Sequence, residues 1–395
     1  MKLKRYGKGN RILENVKIIL AFIAAKLFPN TSGKKIVLVG GNLGEKYEDN
    51  AAVLHRYLIE HYADEMSIYW LYDPDTVYVK EQNIPNAIAL GSWENYVLFF
   101  QADYSFHGHS IVYDLVPFAP RFLFLNDKTV MTHVSHGIEG FKKILIQKED
   151  VPQLERTDFF NCASQFERRI KRNEWRIPEE KLIVTGFPRF DQYPANQPAE
   201  RVKRVLVMMT WREWLLESGT KEFEQSDYYV NTYGLLRHEG IQKLLEEQDM
   251  EVTVALHPFM QRFEKHFEEI SSERIRFVAF EELSISKAIE ENDMLLTDIT
   301  SVSWDFLYLN KPIIFYLFDQ EDWETKRGIY LDLNKDLYGY KAKTTEDVYG
   351  FLKEITAGGV HYNKWYSMAP QFIDFFDQDN CKRLTDRIFG AKPAE

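Results

Sequence analysis

The chain has 395 residues, 45% of them hydrophobic and 28% charged, with a formal net charge of −11. That length predicts two domains with a sizeable core, and the acidic balance excludes non-specific binding of nucleic acid as the main activity. The two cysteines, Cys162 and Cys381, lie far apart without metal-ligand spacing, a usage that fits a reducing cytosol and excludes a disulfide scaffold.

The first segment departs from this average. Lys2, Lys4, Arg5, Lys8 and Arg11 form a basic arm, and apolar residues follow at Ile12, Leu13, Val16, Ile19, Leu20, Ile23 and Leu27. This spacing predicts a one-sided helix over residues 12–28. Its uninterrupted apolar run, residues 18–25, is far short of the ~20 residues needed to span a bilayer. Residues 1–33 are therefore expected to be a basic amphipathic segment on an anionic membrane surface, with Lys17 joining the cations of the arm. A signal peptide shares the pattern, but Glu14 and Lys17 interrupt the approach and Lys26 stands where a cleavage site belongs. A plain packing helix is the third reading.

Pro29-Asn30-Thr31-Ser32-Gly33 breaks that helix. Apolar strand-like runs at 36–39, 67–72, 103–107, 129–134, 159–163 and 182–185 then alternate with helical periods such as 50–62 and 93–101. Residues 191–200 hold Pro194 and Pro198 and follow neither period, so they predict a linker. Alternation resumes with strands at 205–209, 251–256, 275–278, 294–296 and 312–316, and helices at 233–247, around 288–291 and at 304–309. Short apolar strands alternating with helices specify parallel α/β sheets. The chain thus reads as two similar α/β halves, residues 34–190 and 201–366, with a helical segment at 367–395. A cleft lined by strand carboxyl ends is expected between the halves.

Several motifs have only local meaning. Gly40-Gly41-Asn42-Leu43-Gly44 follows the first strand but lacks the spacing of a dinucleotide fingerprint, and a tight turn accounts for it. Asp73-Pro74-Asp75 likewise has the composition of a simple turn. No histidine or cysteine cluster predicts a transition-metal site.

The histidines carry more. His107-Gly108-His109 ends one predicted strand, His133-Val134-Ser135-His136-Gly137 another, and His257-Pro258 a third in the second half. A histidine just beyond a parallel strand faces the ligand side of the sheet and can take a proton from a hydroxyl near neutral pH. Lys142 and Lys143 follow nearby. The run Thr297-Asp298-Ile299-Thr300-Ser301 lies between an apolar strand and a helix, where hydroxyls and backbone N–H groups favour either phosphate or an ordinary helix cap. Arg189, Arg212 and Arg327 stand near strand ends and offer guanidinium to phosphate, or to a surface carboxylate.

Taken in order, these pieces resemble the CDP-glycerol glycerophosphotransferase family, which builds teichoic acids and related polyol-phosphate polymers. The matching segments are Glu48-Asp49-Asn50-Ala51, Ser135-His136-Gly137 with Lys142, Gly186-Phe187-Pro188-Arg189-Phe190-Asp191 and Met209-Thr210-Trp211-Arg212. Leu256-His257-Pro258, Leu296 to Ser301 with Trp304-Asp305-Phe306, Lys311 to Tyr316, and Arg327-Gly328 complete the set. The likeness runs from about Lys35 to about Tyr340.

The resemblance implies a GT-B-type fold, with two Rossmann-like domains facing across a cleft: an acceptor domain over 34–190 and a CDP-donor domain over 201–366. It implies an enzyme acting peripherally at the cytoplasmic face of the membrane. His136 corresponds to the base that deprotonates the acceptor hydroxyl, and His257 to the histidine at the donor diphosphate. Asn50, Gly137, Lys142, Arg189, Trp211, Arg212, Thr297, Asp298, Thr300, Ser301 and Arg327 fall at substrate-binding positions. Two positions depart from the family pattern: Ile299 replaces a tyrosine, and Ile138-Glu139 replace Thr-Pro after His136-Gly137. The implied donor is CDP-glycerol, with CDP-ribitol as the alternative. The implied acceptor is an undecaprenyl-diphosphate-linked saccharide. No cofactor is expected, and a divalent ion is left open. Chain length favours a primase over a polymerase. A glycosyltransferase using a sugar nucleotide on the same fold, and a catalytically silent membrane scaffold, are the competing classes.

Overall fold

A computed structural model describes residues 8–76, 82–117, 120–256, 270–279 and 282–390. His257, Lys2, Lys4 and Arg5 lie outside the described residues, as do the side chains of Lys8 and Arg11.

The chain divides into two compact units. One comprises the chain up to His136, Ile144–Tyr193 and the chain from Asp377 onward; the other comprises Gly137–Lys143 and Pro194–Phe376. The change of unit after Tyr193 falls inside the predicted linker. Two features have no counterpart in the periodicity: the short segment Gly137–Lys143 belongs with the second unit, and the C-terminal segment belongs with the first.

The first unit is built on a seven-stranded parallel sheet in the order β3-β2-β1-β4-β5-β6-β7. Its strands are β1 (Lys35–Gly40), β2 (Met66–Tyr72), β3 (Ala87–Ala89), β4 (Tyr104–His107), β5 (Val130–His133), β6 (Phe159–Cys162) and β7 (Leu182–Val184). Side chains alternate across a strand, and β1 shows the consequence. Ile36 and Leu38 enter a core shared with helices α1 (Lys8–Leu27) and α3 (Trp93–Gln101). Val37 and Val39 enter another, shared with α2 (Asp49–Tyr62) and the C-terminal helix Asn380–Phe389. A sheet covered on both faces favours apolar residues on both sides of a strand, which is why β1 reads as an unbroken apolar run.

Helix α1 is apolar on two sides. Ile18, Ala21 and Ala25 are buried, and Phe22 meets Phe100 of α3 edge-on at 5.2 Å. Glu14 accepts from the Tyr96 hydroxyl at 2.7 Å, and Lys17 donates to the Gly91 carbonyl at 2.6 Å. Lys17 is thus turned onto the protein. The residues that define the predicted apolar face, Ile12, Leu13, Val16, Ile19, Leu20, Ile23 and Leu27, are all exposed, between 41% and 71%.

The second unit carries a six-stranded parallel sheet in the order β10-β9-β8-β11-β12-β13. Its strands are β8 (Arg204–Met208), β9 (Glu251–Leu256), β10 (Ile275–Ala279), β11 (Met294–Thr297), β12 (Ile313–Tyr316) and β13 (Tyr340–Ala342). The predicted helix over 233–247 is two helices, Asp227–Arg237 and Glu239–Glu247. His238 between them has extended backbone, and its ring accepts from the Ile241 N–H, so a side-chain cap starts a second helix where the apolar period alone runs on. The strands β3 and β13, each of three residues, have no counterpart among the strands expected from the sequence.

Candidate active site

In the first unit the polar residues gather beyond β4 and β5. After β5 the backbone turns through Ser135, whose φ of 61° is left-handed, and presents His136 as an exposed side chain. A non-glycine residue in that region has to be held there, and Asn50 and Arg189 do so. The Asn50 amide donates to the Val134 and Ser135 carbonyls at 3.3 and 3.0 Å, and its oxygen accepts from the Arg189 N–H at 3.0 Å. The Arg189 guanidinium donates to the His136 carbonyl at 2.9 Å and pairs with Asp49 at 3.1 Å.

The motifs place Asn50 and Arg189 at substrate, and both are instead buried. Their polar groups brace the backbone that carries His136, a use invisible in a motif because each partner is distant in sequence. Asp191 closes the same clasp. It accepts from the N–H groups of Asn380 and Cys381 at 2.9 and 2.7 Å, so it caps the C-terminal helix from across the unit.

In the second unit β11 delivers the turn Asp298 to Val302, which leads into the short helix Ser303–Tyr308. The Thr297 hydroxyl donates to the Met208 carbonyl at 2.5 Å. Asp298 accepts from the Thr210 N–H at 2.9 Å and the Ile299 N–H at 2.7 Å. The Arg212 guanidinium, fully buried, donates to Asp298 at 2.5 Å and to Asp319 at 2.7 and 2.9 Å, and also to the Thr210 carbonyl. Tyr228, Phe318 and Trp323 surround it at 4.9–5.2 Å. Burial opposes the charge on Arg212, but Asp298 and Asp319 outweigh it and raise the pKa, so the guanidinium stays charged.

The side chains of Arg212, Asp298 and Thr297 are buried and bonded within the protein, so they shape the turn from behind. Thr300 and Ser301 at its tip are half-exposed, and neither hydroxyl has a protein partner among the described residues. Trp211 is partly buried against the core of the second unit.

Lys142 and Arg327 supply the positive charge. Residues 141–143 run as an extended segment beside 328–330: the Tyr330 N–H donates to the Phe141 carbonyl at 2.8 Å and the Lys143 N–H to the Gly328 carbonyl at 3.1 Å. Phe141 anchors the segment among Trp304, Phe315 and Tyr338. Gly328 has φ of 83°, and a Cβ there would approach the Lys143 side chain to 3.0 Å, so the close pairing needs glycine. Gly137 begins the same segment and is buried.

This pairing sets Lys142 among Asp298, Glu139, Arg327 and Glu213, and burial lowers its pKa despite those carboxylates. Its ammonium has no hydrogen-bond partner among the described residues. Arg327 pairs with Glu213 at 2.8 Å, while its Nε is buried without a partner. A partly buried ammonium and an unfilled guanidinium N–H are the groups an incoming phosphate would satisfy. Sequence reasoning missed Asp319, Glu213 and Asp114, which no local motif marks.

Two parallel α/β units, one carrying an exposed histidine beyond a strand and the other bringing Lys142 beside Arg327, are the architecture of a GT-B-type fold. The chain matches the CDP-Glycerol:Poly(glycerophosphate) glycerophosphotransferase family over residues 21–390, and it belongs to that family of enzymes. It is 21% identical over 377 residues to the minor teichoic acid biosynthesis protein GgaB of Bacillus subtilis, covering 87% of this chain but 38% of that protein. It is 22% identical to a teichoic acid glycerol-phosphate transferase of Staphylococcus aureus, over 92% of this chain and 95% of that one. The solved wall teichoic acid polymerase TagF has the same fold, with a TM-score of 0.69 over 97% of this chain and 98% of that chain, at 17% identity. Among the described residues no helix is long and apolar enough to cross a membrane.

Proposed function

We propose that this protein transfers sn-glycerol 3-phosphate from CDP-glycerol to a hydroxyl of a lipid-linked saccharide, with release of CMP. The acceptor oxygen forms a bond to the phosphorus bearing the polyol, the bond from that phosphorus to CMP breaks, and His136 takes the hydroxyl proton. Transfer of this kind depends on positioning and on neutralising phosphate charge more than on covalent help. Lys142, Arg327 and the Thr300 and Ser301 hydroxyls neutralise the diphosphate, and His257 joins them.

The observation that carries this reading is the family match over residues 21–390, which contains both His136 and the Lys142–Arg327 pair. The acceptor we propose is undecaprenyl-diphosphate-linked, and a single added unit, as in a primase, is the expected product. Helix α1 supports access to such a lipid. One face docks on the fold through Ile18 and Phe22, and the opposite face offers Val16, Leu20, Ile23 and Leu27 to the cytoplasmic membrane surface.

Incubation with CDP-glycerol, and separately with CDP-ribitol, against a lipid-linked disaccharide tests the proposal. Release of CMP with a product heavier by one glycerol phosphate is expected. Turnover of CDP-ribitol alone would reassign the donor, and release of UDP or GDP from a sugar nucleotide would overturn the reaction class.

A further inference from the structure

His107-Gly108-His109 has no role in the proposed transfer. Strands β4 and β5 pair in parallel with His107 opposite His133, and both imidazoles are buried. Burial, with His109 nearby, lowers the pKa of His107 to about 3. Burial first, then Lys171, His107 and the other two histidines hold His133 well below its ordinary value. Both buried rings are therefore neutral at working pH.

Beyond the strand ends the arrangement changes. The His109 and His136 rings lie face to face, with centroids 4.2 Å apart and planes within 9° of parallel. The backbone of His109 is fixed by buried Asp114, whose carboxylate accepts from the N–H groups of His109 at 2.5 Å, Ser110 at 3.1 Å and Leu43 at 3.0 Å. The same carboxylate lies 3.8 Å from His109 Nδ1. From the other side, Arg189, paired with Asp49, holds the His136 carbonyl.

We propose that His109 is a positioning residue for His136. Its ring is the flat surface that sets the plane of the base, and its π face, with the Asp114 carboxylate 3.8 Å from its Nδ1, favours the imidazolium formed when His136 takes the acceptor proton. An aromatic face attracts a cation placed over it, whereas two stacked imidazoles resist carrying charge together. The charged and titratable groups facing the pair are Asp114 behind His109, Arg189 and Asp49 at the His136 backbone, and neutral His107 and His133 below. The inference rests on His136 being the base.

The test uses the full-length protein carrying 13C-labelled histidine. The His136 ring signal, assigned by its loss in His136→Asn, is titrated in the unaltered protein and in His109→Ala, His109→Phe and His109→Gln. In His109→Ala the His136 midpoint is expected to fall by at least about half a pH unit. The kcat is expected to fall about tenfold, with the acidic limb of its pH profile moving to match and KM for the donor kept. His109→Phe, which retains a flat aromatic face, should restore most of both properties, and His109→Gln should not.

A His136 midpoint within about 0.2 of a unit of the unaltered value in His109→Ala overturns the proposal. If His109→Ala does not fold, rescue by Gln but not by Phe overturns it. The titration needs no turnover. A chain inactive on every CDP-polyol would refute the proposed reaction while the stacked pair is still read by its midpoint.

Discussion

The Arg212 guanidinium and the Asp298 carboxylate, 86 residues apart in sequence, are buried against each other at 2.5 Å. Asp319 occupies the remaining side of the guanidinium. Because the same Asp298 accepts from the N–H groups of Thr210 and Ile299, the ion pair ties β8 to the turn bearing Thr300 and Ser301.

Removing Arg212 should therefore disturb the fold before it disturbs phosphate contacts. Arg212→Met leaves two buried carboxylates without their countercharge, and a loss of about 3–5 kcal/mol is expected, read by urea denaturation. A loss under about 1 kcal/mol would mean that the buried triad does not organise the turn.

Lys142 should show the opposite balance. Lys142→Met removes a partly buried ammonium that has no hydrogen-bond partner among the described residues, so stability of the ligand-free protein should hold or rise. Donor affinity, measured by calorimetry with CDP-glycerol, should fall at least about tenfold through the lost charge-assisted contact. Equal affinity in the two proteins would remove Lys142 from the diphosphate site.

The same residue predicts a pH dependence. The lysine's pKa is lower in the folded protein than in the unfolded chain. The unfolded state therefore holds more protons between the two values, and Lys142's contribution to stability rises with pH across that window. Below the window the full cost of burying the charge applies. Comparing stability of the original protein and Lys142→Met across alkaline pH isolates this contribution: the gap between them should narrow as pH rises.

His136→Ala should lower turnover at least ~100-fold, the usual scale for loss of a general base. Donor affinity should be unchanged, because the residues proposed for the diphosphate are Lys142, Arg327, Thr300 and Ser301. Unchanged turnover would remove His136 from the chemistry.

The exposed face of α1 makes a separate prediction. Leu20→Glu with Ile23→Glu alters solvent-facing positions only, so the change in stability should be within about 0.5 kcal/mol. Sedimentation with anionic liposomes should be strongly reduced, and removal of residues 1–30 should abolish it. Undiminished sedimentation of the truncated protein would exclude α1 as the membrane contact.

The alternation of strands and helices is legible in the order of amino acids alone. Strand bounds read from it fall within a residue or two of the structure, as for Glu251–Leu256 and Tyr104–His107, because a parallel strand covered on both faces is mostly apolar. The same reading sets His136 just beyond a strand end and marks the ordered motifs of the family.

What each polar residue faces is a matter of tertiary packing. Asn50, Arg189 and Arg212 have the look of ligand contacts in the motifs, and the fold also gives each of them bracing partners from remote parts of the chain. For α1, period identifies an apolar face but not which side docks; packing on α3 takes Ile18, Ala21 and Phe22 and leaves the predicted face in solvent. Likewise the fold alone stacks His109 on His136 and brings Lys142 beside Arg327. Periodicity records how each residue sits on its own strand or helix, whereas the environment of a charge is set by groups that folding brings from elsewhere.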